Sequence, residues 1–310
     1  MKSLKGKILL AFIAVLLILP PFLDTYKVYL LNVMCISVVI ALGLNLVTGY
    51  TGQISLGQSG FVAIGAYATA LLMGRGFSFW VALPVSGVIA GFPGFLIAIP
   101  ALRLRGVYLA LVTFGFGAIV EMTLIHWVSL TRGPDGLRVL SPQLGSFAFN
   151  SDLSMFYLIF VVTLIMVFVA QRIIDSHVGR VFLSIRDSEI AAESMGVDIT
   201  RYKIIAFVLS AFYGGIAGGL YASLVMFISP DAFTVLESVL YLTMVVVGGL
   251  GSIWGGIIGG AMLSFLPEFL RQFKELQELL FGAILILSLI FLPNGLVGIY
   301  EKYRGTKAKG

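Results

Sequence analysis

The stretch Thr48–Gly60, TGYTGQISLGQSG, contains no charged residue, yet Gly, Ser, Thr and Gln make up most of it. It follows the apolar run Val28–Thr48 and precedes a second one, Phe61–Met73. So irregular a backbone lies at membrane depth only where protein buries it or where it lines a wet cavity. A crossing helix needs about 20 apolar residues, so Phe61–Met73 cannot span alone. The two pieces together predict one broken or re-entrant membrane element. The rest of the chain agrees. Its 310 residues are 59% hydrophobic and 11% charged, against about 45–50% and about 25% in soluble domains. That excludes a soluble enzyme of ordinary make-up, a disordered chain and a nucleic-acid binder.

Working outward, simple apolar runs lie at Ile8–Leu23, Phe79–Leu102, Val107–Val128, Met155–Ala170 and Ile204–Met226. The first follows a basic start, Lys2, Lys5 and Lys7, but no small-residue cleavage site comes after it, only Pro20 and Pro21. It reads as a retained span rather than a signal peptide. Leu236–Leu266 is longer than one span and holds Gly248-Gly249-Leu250-Gly251-Ser252 at its middle, which predicts two short helices and a tight turn. A last run covers Leu279–Ile299. The expectation is an all-α polytopic membrane protein with about ten transmembrane or re-entrant segments over residues 8–298. Ten crossings put both termini on one side. Lys27, Arg75, Arg132, Arg138, Arg271 and Lys274 then fall on the opposite side, leaving 14 of the 20 Lys and Arg with the termini. The positive-inside rule makes the terminal side cytoplasmic.

Two loops are long. Thr131–Ser154 falls outside and carries Gly, Pro and Asp turn signals. Gln171–Lys203 falls inside and is the most charged stretch. Within it Arg186–Gly196 reads as a short helix: Asp187 caps it, Glu189 suits the positive end and Gly196 the left-handed terminal position. Ile190, Ala191 and Met195 give it a small apolar surface. Such a helix is either a solvated loop or a docking knob that passes force to the spans on either side.

Nothing in the chain marks catalysis. There is no phosphate-binding G-x-x-x-x-G-K-[ST] sequence, and the glycine clusters lie inside apolar runs. Cys35 is the one cysteine, and His126 and His177 have no metal-ligand spacing. Energy for uphill movement must come from an ion gradient or another chain. Pairs such as Gly214/Gly218, Gly215/Gly219 and Gly256/Gly260 predict close helix packing in lipid. Glu121, the one acid well inside an apolar run, is either a functional group or a side chain reaching the interface. The broken element offers Asn45, Thr48, Gln53, Ser55, Gln58 and Ser59 as neutral hydrogen-bonding groups. Half-helix ends in such elements hold carboxylates and ammonium groups. These residues either line a path for a small zwitterionic or amide-like solute with an apolar tail, or pack a helix break.

Gly43-Leu44-Asn45-Leu46, Gly49 through Gln58, and Phe61-x-x-x-Gly65-Ala66-Tyr67 together resemble the signature of LivM-type permeases, the membrane subunits of branched-chain amino-acid ABC transporters. Leu104 through Ala110, Gly179-Arg180, Arg186-Asp187 through Gly196, Gly248 through Ser252 and Pro293-Asn294-Gly295-Leu296 add to it in order. The resemblance implies a single permease domain over residues 1–310 in the cell's inner (plasma) membrane. It implies two ATP-binding partner subunits, a sister permease and an extracytoplasmic solute-binding protein. This chain then binds no cofactor of its own, since the partners use the ATP. Arg186, Asp187, Glu189, Ala191, Ala192, Glu193 and Gly196 are the implied ATPase-coupling loop. It is similar to the EAA loop of ABC importers, with Ile190 in place of the opening Glu and no distal Leu-Pro. Asn45, Gln53, Ser55, Gln58, Tyr67 and Glu121 are the candidate substrate path. Leucine, isoleucine and valine are the implied substrates, then other apolar amino acids, with urea or short-chain amides as the alternative. A stand-alone secondary transporter is a competing class.

Overall fold

The computed structural model describes residues 19–270 apart from 103, 105 and 146, together with 282, 286 and 295–298. The expected first span up to residue 18, most of Leu279–Ile299, and the basic residues of both tails lie outside the described residues, as do Arg103, Arg105, Arg271 and Lys274. So do Pro293 and Asn294.

Helices dominate because long apolar runs in lipid must satisfy every backbone group within the segment. In order they are α1 (Thr25–Thr51), α2 (Gln58–Gly74), α3 (Phe79–Ala101), α4 (Val107–His126), α5 (Asp152–Asp175), α6 (His177–Asp187), α7 (Glu189–Ser194), α8 (Ile199–Val225), α9 (Val235–Gly248) and α10 (Ile253–Leu270). Among the described residues six stretches are long and apolar enough to cross a membrane: α1, α3, α4, α5, α8 and Pro230–Gly248, which contains α9. The apolar helices α2 and α10 are shorter. The chain is a multi-pass membrane protein, and eight of the expected segments are helices among the described residues.

The break comes where the glycine- and glutamine-rich stretch placed it. Helix α1 ends at Gly52, whose left-handed φ of 72° suits a residue without Cβ. Residues 52–57 are not helical, and α2 begins at Gln58. Seventeen residues of α2 reach only about 25 Å at 1.5 Å per residue, short of a hydrocarbon core of about 30 Å.

Helix α8 stands at the centre, packed on α1, α2 and α3. Glycines let the backbones meet: a Cβ on Gly218 would overlap the Val62 carbonyl, and one on Gly65 would overlap Gly215. Helix α10 lies on α1 in the same way, with Gly260 against Ser37 and Val38. The exposed side of α3 is apolar, with Val88 and Phe92 both 66% exposed, as a lipid-facing surface must be.

The loop over residues 131–154 takes part in short antiparallel pairs, Leu137–Arg138 with Phe227–Ile228 and Gln143–Leu144 with Phe147–Ala148. One expectation is corrected: residues 186–196 are not one helix, because Ser188, extended at φ −163°, breaks the chain between Asp187 and Glu189. Asp187 therefore closes α6 and does not cap α7. The Ser188 hydroxyl accepts the Ala191 N–H at 3.2 Å instead. Glu189 does occupy the first turn, and Gly196 is left-handed at φ 82°. Replacing Ser188 with alanine should destabilise α7 by about 1 kcal/mol, the usual value of such a cap. Hydrogen exchange of the α7 amides measures it.

Candidate functional site

The expected path residues divide between two levels of the bundle. Residues 53–57 are non-helical and lie beside α4, and from Gln53 to Leu56 burial alternates with the period of two of a strand-like segment. Gln53 and Ser55 turn inward, 5% and 1% exposed, whereas Ile54 faces out at 38%. The Leu56 N–H donates to Thr113 Oγ1 on α4 at 2.9 Å. At the start of α2, Gln58 is locked to α8: its Nε2 donates to the Ser210 carbonyl at 3.3 Å and its Oε1 accepts the Ser210 hydroxyl at 3.0 Å. Ser59 meets α9, its N–H donating to Ser238 Oγ at 2.9 Å. Gln58 and Ser59 are thereby paired, as buried polar groups must be, whereas Gln53 Oε1 is buried without a hydrogen-bond partner.

Asn45 performs a related task at the end of the bundle that carries α6 and α7. Its Nδ2 donates to the Ser252 carbonyl at 2.7 Å, and its Oδ1 accepts the Gly251 N–H at 2.9 Å. One side chain thus ties the glycine turn between α9 and α10 to α1. Beside it Arg186 Nη1 donates to the Gly49 carbonyl at 2.9 Å. A cavity of about 630 Å³ opens there, lined by Tyr50, Gln171, Arg186 and the turn Gly249–Ser252.

Tyr67 lies more than two turns further along α2, 3% exposed, with its ring 6.2 Å from that of Phe233. Its hydroxyl and that of Thr69 are buried without a hydrogen-bond partner. Glu121 reaches neither Tyr67 nor the break as a hydrogen-bond partner. Its Oε2 accepts the Val235 N–H at 3.0 Å and so closes the first turn of α9, where a carboxylate is favoured by the free amides and the helix dipole. Glu121→Gln keeps an acceptor and should leave transport and its pH dependence unchanged. Glu121→Ala should cost about 1–2 kcal/mol of stability, read as a lower melting temperature.

The coupling-loop residues come together as one surface and one anchor. On the surface, Ile190 is 70% and Met195 86% exposed; Asp187, Ala191, Glu193 and Gly196 are exposed beside them. On the inner side Ala192 is buried with Val181 and Ile185. Glu189 Oε1 lies 2.8 Å from Lys203 Nζ and accepts Gln53 Nε2 at 3.0 Å.

Several partners escaped the sequence reading. Thr113, Ser210, Ser238 and Ser252 are short hydroxyl residues with no local mark of their role. Lys203 did carry a signal. It shares one helical face with Ala206, Phe207 and Ser210, all buried, at the i, i+3, i+4, i+7 spacing of an inward stripe. A cation in that register had to be buried and paired. Among the described residues no cluster of three His, Cys, Asp or Glu is placed to hold a metal.

Comparison with known proteins adds to this geometry. The family described as the branched-chain amino acid transport system permease component matches residues 26–289. The high-affinity branched-chain amino acid transport system permease protein LivM of Escherichia coli is 36% identical, over 99% of this chain and 79% of its own length. LivM of Salmonella typhimurium is 35% identical over the same shares. The permease protein LivH of Escherichia coli is 25% identical over 84% of this chain and 90% of its own. A solved structure of an inward-facing ABC transporter aligns with 85% of each chain at a TM-score of 0.48 and 15% identity. The chain belongs to the family of branched-chain amino-acid transport-system permease components, and is a transport component rather than an enzyme.

Proposed function

We propose that this chain is one permease half of an ATP-driven importer that carries leucine, isoleucine and valine across the inner membrane. Its family membership and its 36% identity to LivM over nearly its whole length support the reading. In this proposal two ATP-binding subunits dock on the end formed by α6 and α7, a sister permease completes the path, and an extracytoplasmic solute-binding protein delivers the amino acid to the opposite end. ATP is bound and hydrolysed by the partners. Both termini are cytoplasmic, with about ten membrane segments in all.

The observation that carries the docking role is α7. A six-residue helix with an exposed Ile190, followed at its C-terminal end by an exposed Met195, is a compact apolar knob of the kind a partner's groove covers. The path is assigned to the side of the break, where Asn45, Gln53, Ser55, Gln58 and Tyr67 hold the frame and Glu121 fixes the start of α9.

The test is ATP-dependent uptake by the reconstituted four-part complex, with labelled leucine, valine and urea compared. Leucine and valine uptake is expected; urea uptake without either amino acid would move the substrate to the amide class. A purified chain that accumulates solute from an ion gradient, with no ATPase present, would overturn the importer reading. Ile190→Glu with Met195→Glu should lower ATPase co-purification at least tenfold, about 1.4 kcal/mol, while the permease remains folded.

A further inference from the structure

The charged pair beneath α7 differs from the surface charges around it. Lys203 is 1% exposed on the first turns of α8, and its ammonium lies 2.8 Å from Glu189 Oε1. The same oxygen accepts the Gln53 side-chain amide at 3.0 Å. One carboxylate oxygen therefore joins three elements: the start of α7, the first turns of α8 and the opening of the non-helical stretch before α2. Among the described residues the buried apolar contact of α7 is Ala192, packed with Val181, Ile185, Val197 and Tyr202.

Gln53 is tied onward. Its N–H donates to the Val47 carbonyl at 3.1 Å, and its own carbonyl accepts the Thr48 hydroxyl at 3.1 Å. Three residues later Leu56 is held by Thr113 of α4. A buried ion pair adds little net stability compared with an apolar replacement, since desolvation offsets the attraction. What such a pair does supply is a short, directional link that keeps its partners at fixed separation.

We propose that Glu189 and Lys203 are a positioning pair that transmits displacement of α7 into residues 53–57 and the start of α2. The proposal rests on the reading of α7 as the ATPase-docking helix. When α7 shifts, the Glu189 carboxylate carries the Gln53 amide with it, and the stretch follows at Val47, Thr48 and Thr113. Lys203 holds the carboxylate between the two. Without the ammonium, α7 still presents Ile190 and Met195 to its partner, but its movement no longer reaches the break.

The experiment uses the full reconstituted complex with Lys203→Met, the neutral double variant Lys203→Met/Glu189→Gln, and the exchanged pair Lys203→Glu/Glu189→Lys. Three quantities are read for each: ATPase subunit recovered with the permease, melting temperature, and amino acid imported per ATP hydrolysed. Lys203→Met should retain ATPase assembly and basal hydrolysis while import per ATP falls at least tenfold. The neutral double variant should regain the melting temperature without regaining import per ATP. The exchanged pair should regain both, the Gln53 amide turning so that its Oε1, unpartnered in the wild type, accepts from the ammonium at position 189. Wild-type import per ATP in the neutral double variant would overturn the proposal, including where Lys203→Met alone fails to assemble, because a merely structural pair predicts that recovery. Wild-type protein that recovers no ATPase at all would instead overturn the docking reading beneath it.

Discussion

Replacing Gly218 with valine should leave almost no folded permease. A Cβ at that position would run into the Val62 carbonyl and lie 2.8 Å from the Ala66 nitrogen. Both obstacles are backbone, and the two helices meet over a glycine-lined face that includes Gly65, Gly214 and Gly218, so nothing nearby can turn aside. Overpacking a core costs about 1–3 kcal/mol when side chains can yield. Here a whole helix must move, and α2 is already held at its first two residues, Gln58 and Ser59, by Ser210 and Ser238. The expected loss exceeds about 3 kcal/mol, beyond the usual range for a single substitution. Gel filtration of detergent-solubilised protein reads it as loss of the monodisperse peak. Gly115→Ala is the control: nothing lies within 4 Å of a Cβ added there, so yield and melting temperature should stay unchanged. Normal yield from Gly218→Val would refute the close packing of α2 and α8.

The second large effect is expected at Asn45. Leucine has a similar volume but neither donates nor accepts, so Asn45→Leu strands the half-buried Gly251 N–H and leaves the Ser252 carbonyl with the Gly256 N–H alone. A donor left without a partner costs about 1–3 kcal/mol. The loss falls on the link between α1 and the turn joining α9 to α10, 207 residues away in sequence. The melting temperature should drop by several degrees and transport by at least tenfold, with Gly115→Ala again as the reference. A variant with wild-type melting behaviour and reduced import alone would mean that Asn45 serves the solute rather than the frame.

How much of this was legible in the sequence depended on period and composition. Apolar runs of helical length gave α1, α3, α4, α5 and α8 to within a few residues at most ends, because lipid enforces length. The glycine pair before Leu250 and the polar stretch after Thr48 gave both interruptions, since such composition cannot continue a helix through lipid. The hydrogen-bond partners were not legible. Gln53 and Gln58 look equivalent in sequence, yet one faces a carboxylate on α7 and the other a serine on α8. That difference follows from the two-residue period of the non-helical stretch and the helical period beginning at Gln58, and from which neighbours the fold brings alongside. Glu121 was flagged for its burial cost, but only tertiary structure supplies the Val235 amide that occupies it. The cap of α7 was misplaced by one residue because Asp187 and Ser188 are both good cap formers; the preceding helix α6 decided between them by claiming Asp187.

The non-helical stretch before α2 also sets an order of biosynthesis. Its amides and the first side chains of α2 are satisfied by Thr113, Ser210 and Ser238, the last two 152 and 179 residues further along the chain. At about 5–20 residues per second, the ribosome needs on the order of 8–30 s after making Gln58 to supply Ser210, and longer for Ser238. Through that interval Gln53 and Leu56 can find their partners at Val47, Thr48 and Thr113, while Gln58 and Ser59 still lack theirs. The packing of α2 on α8 and α9 can therefore close only after those later helices are made.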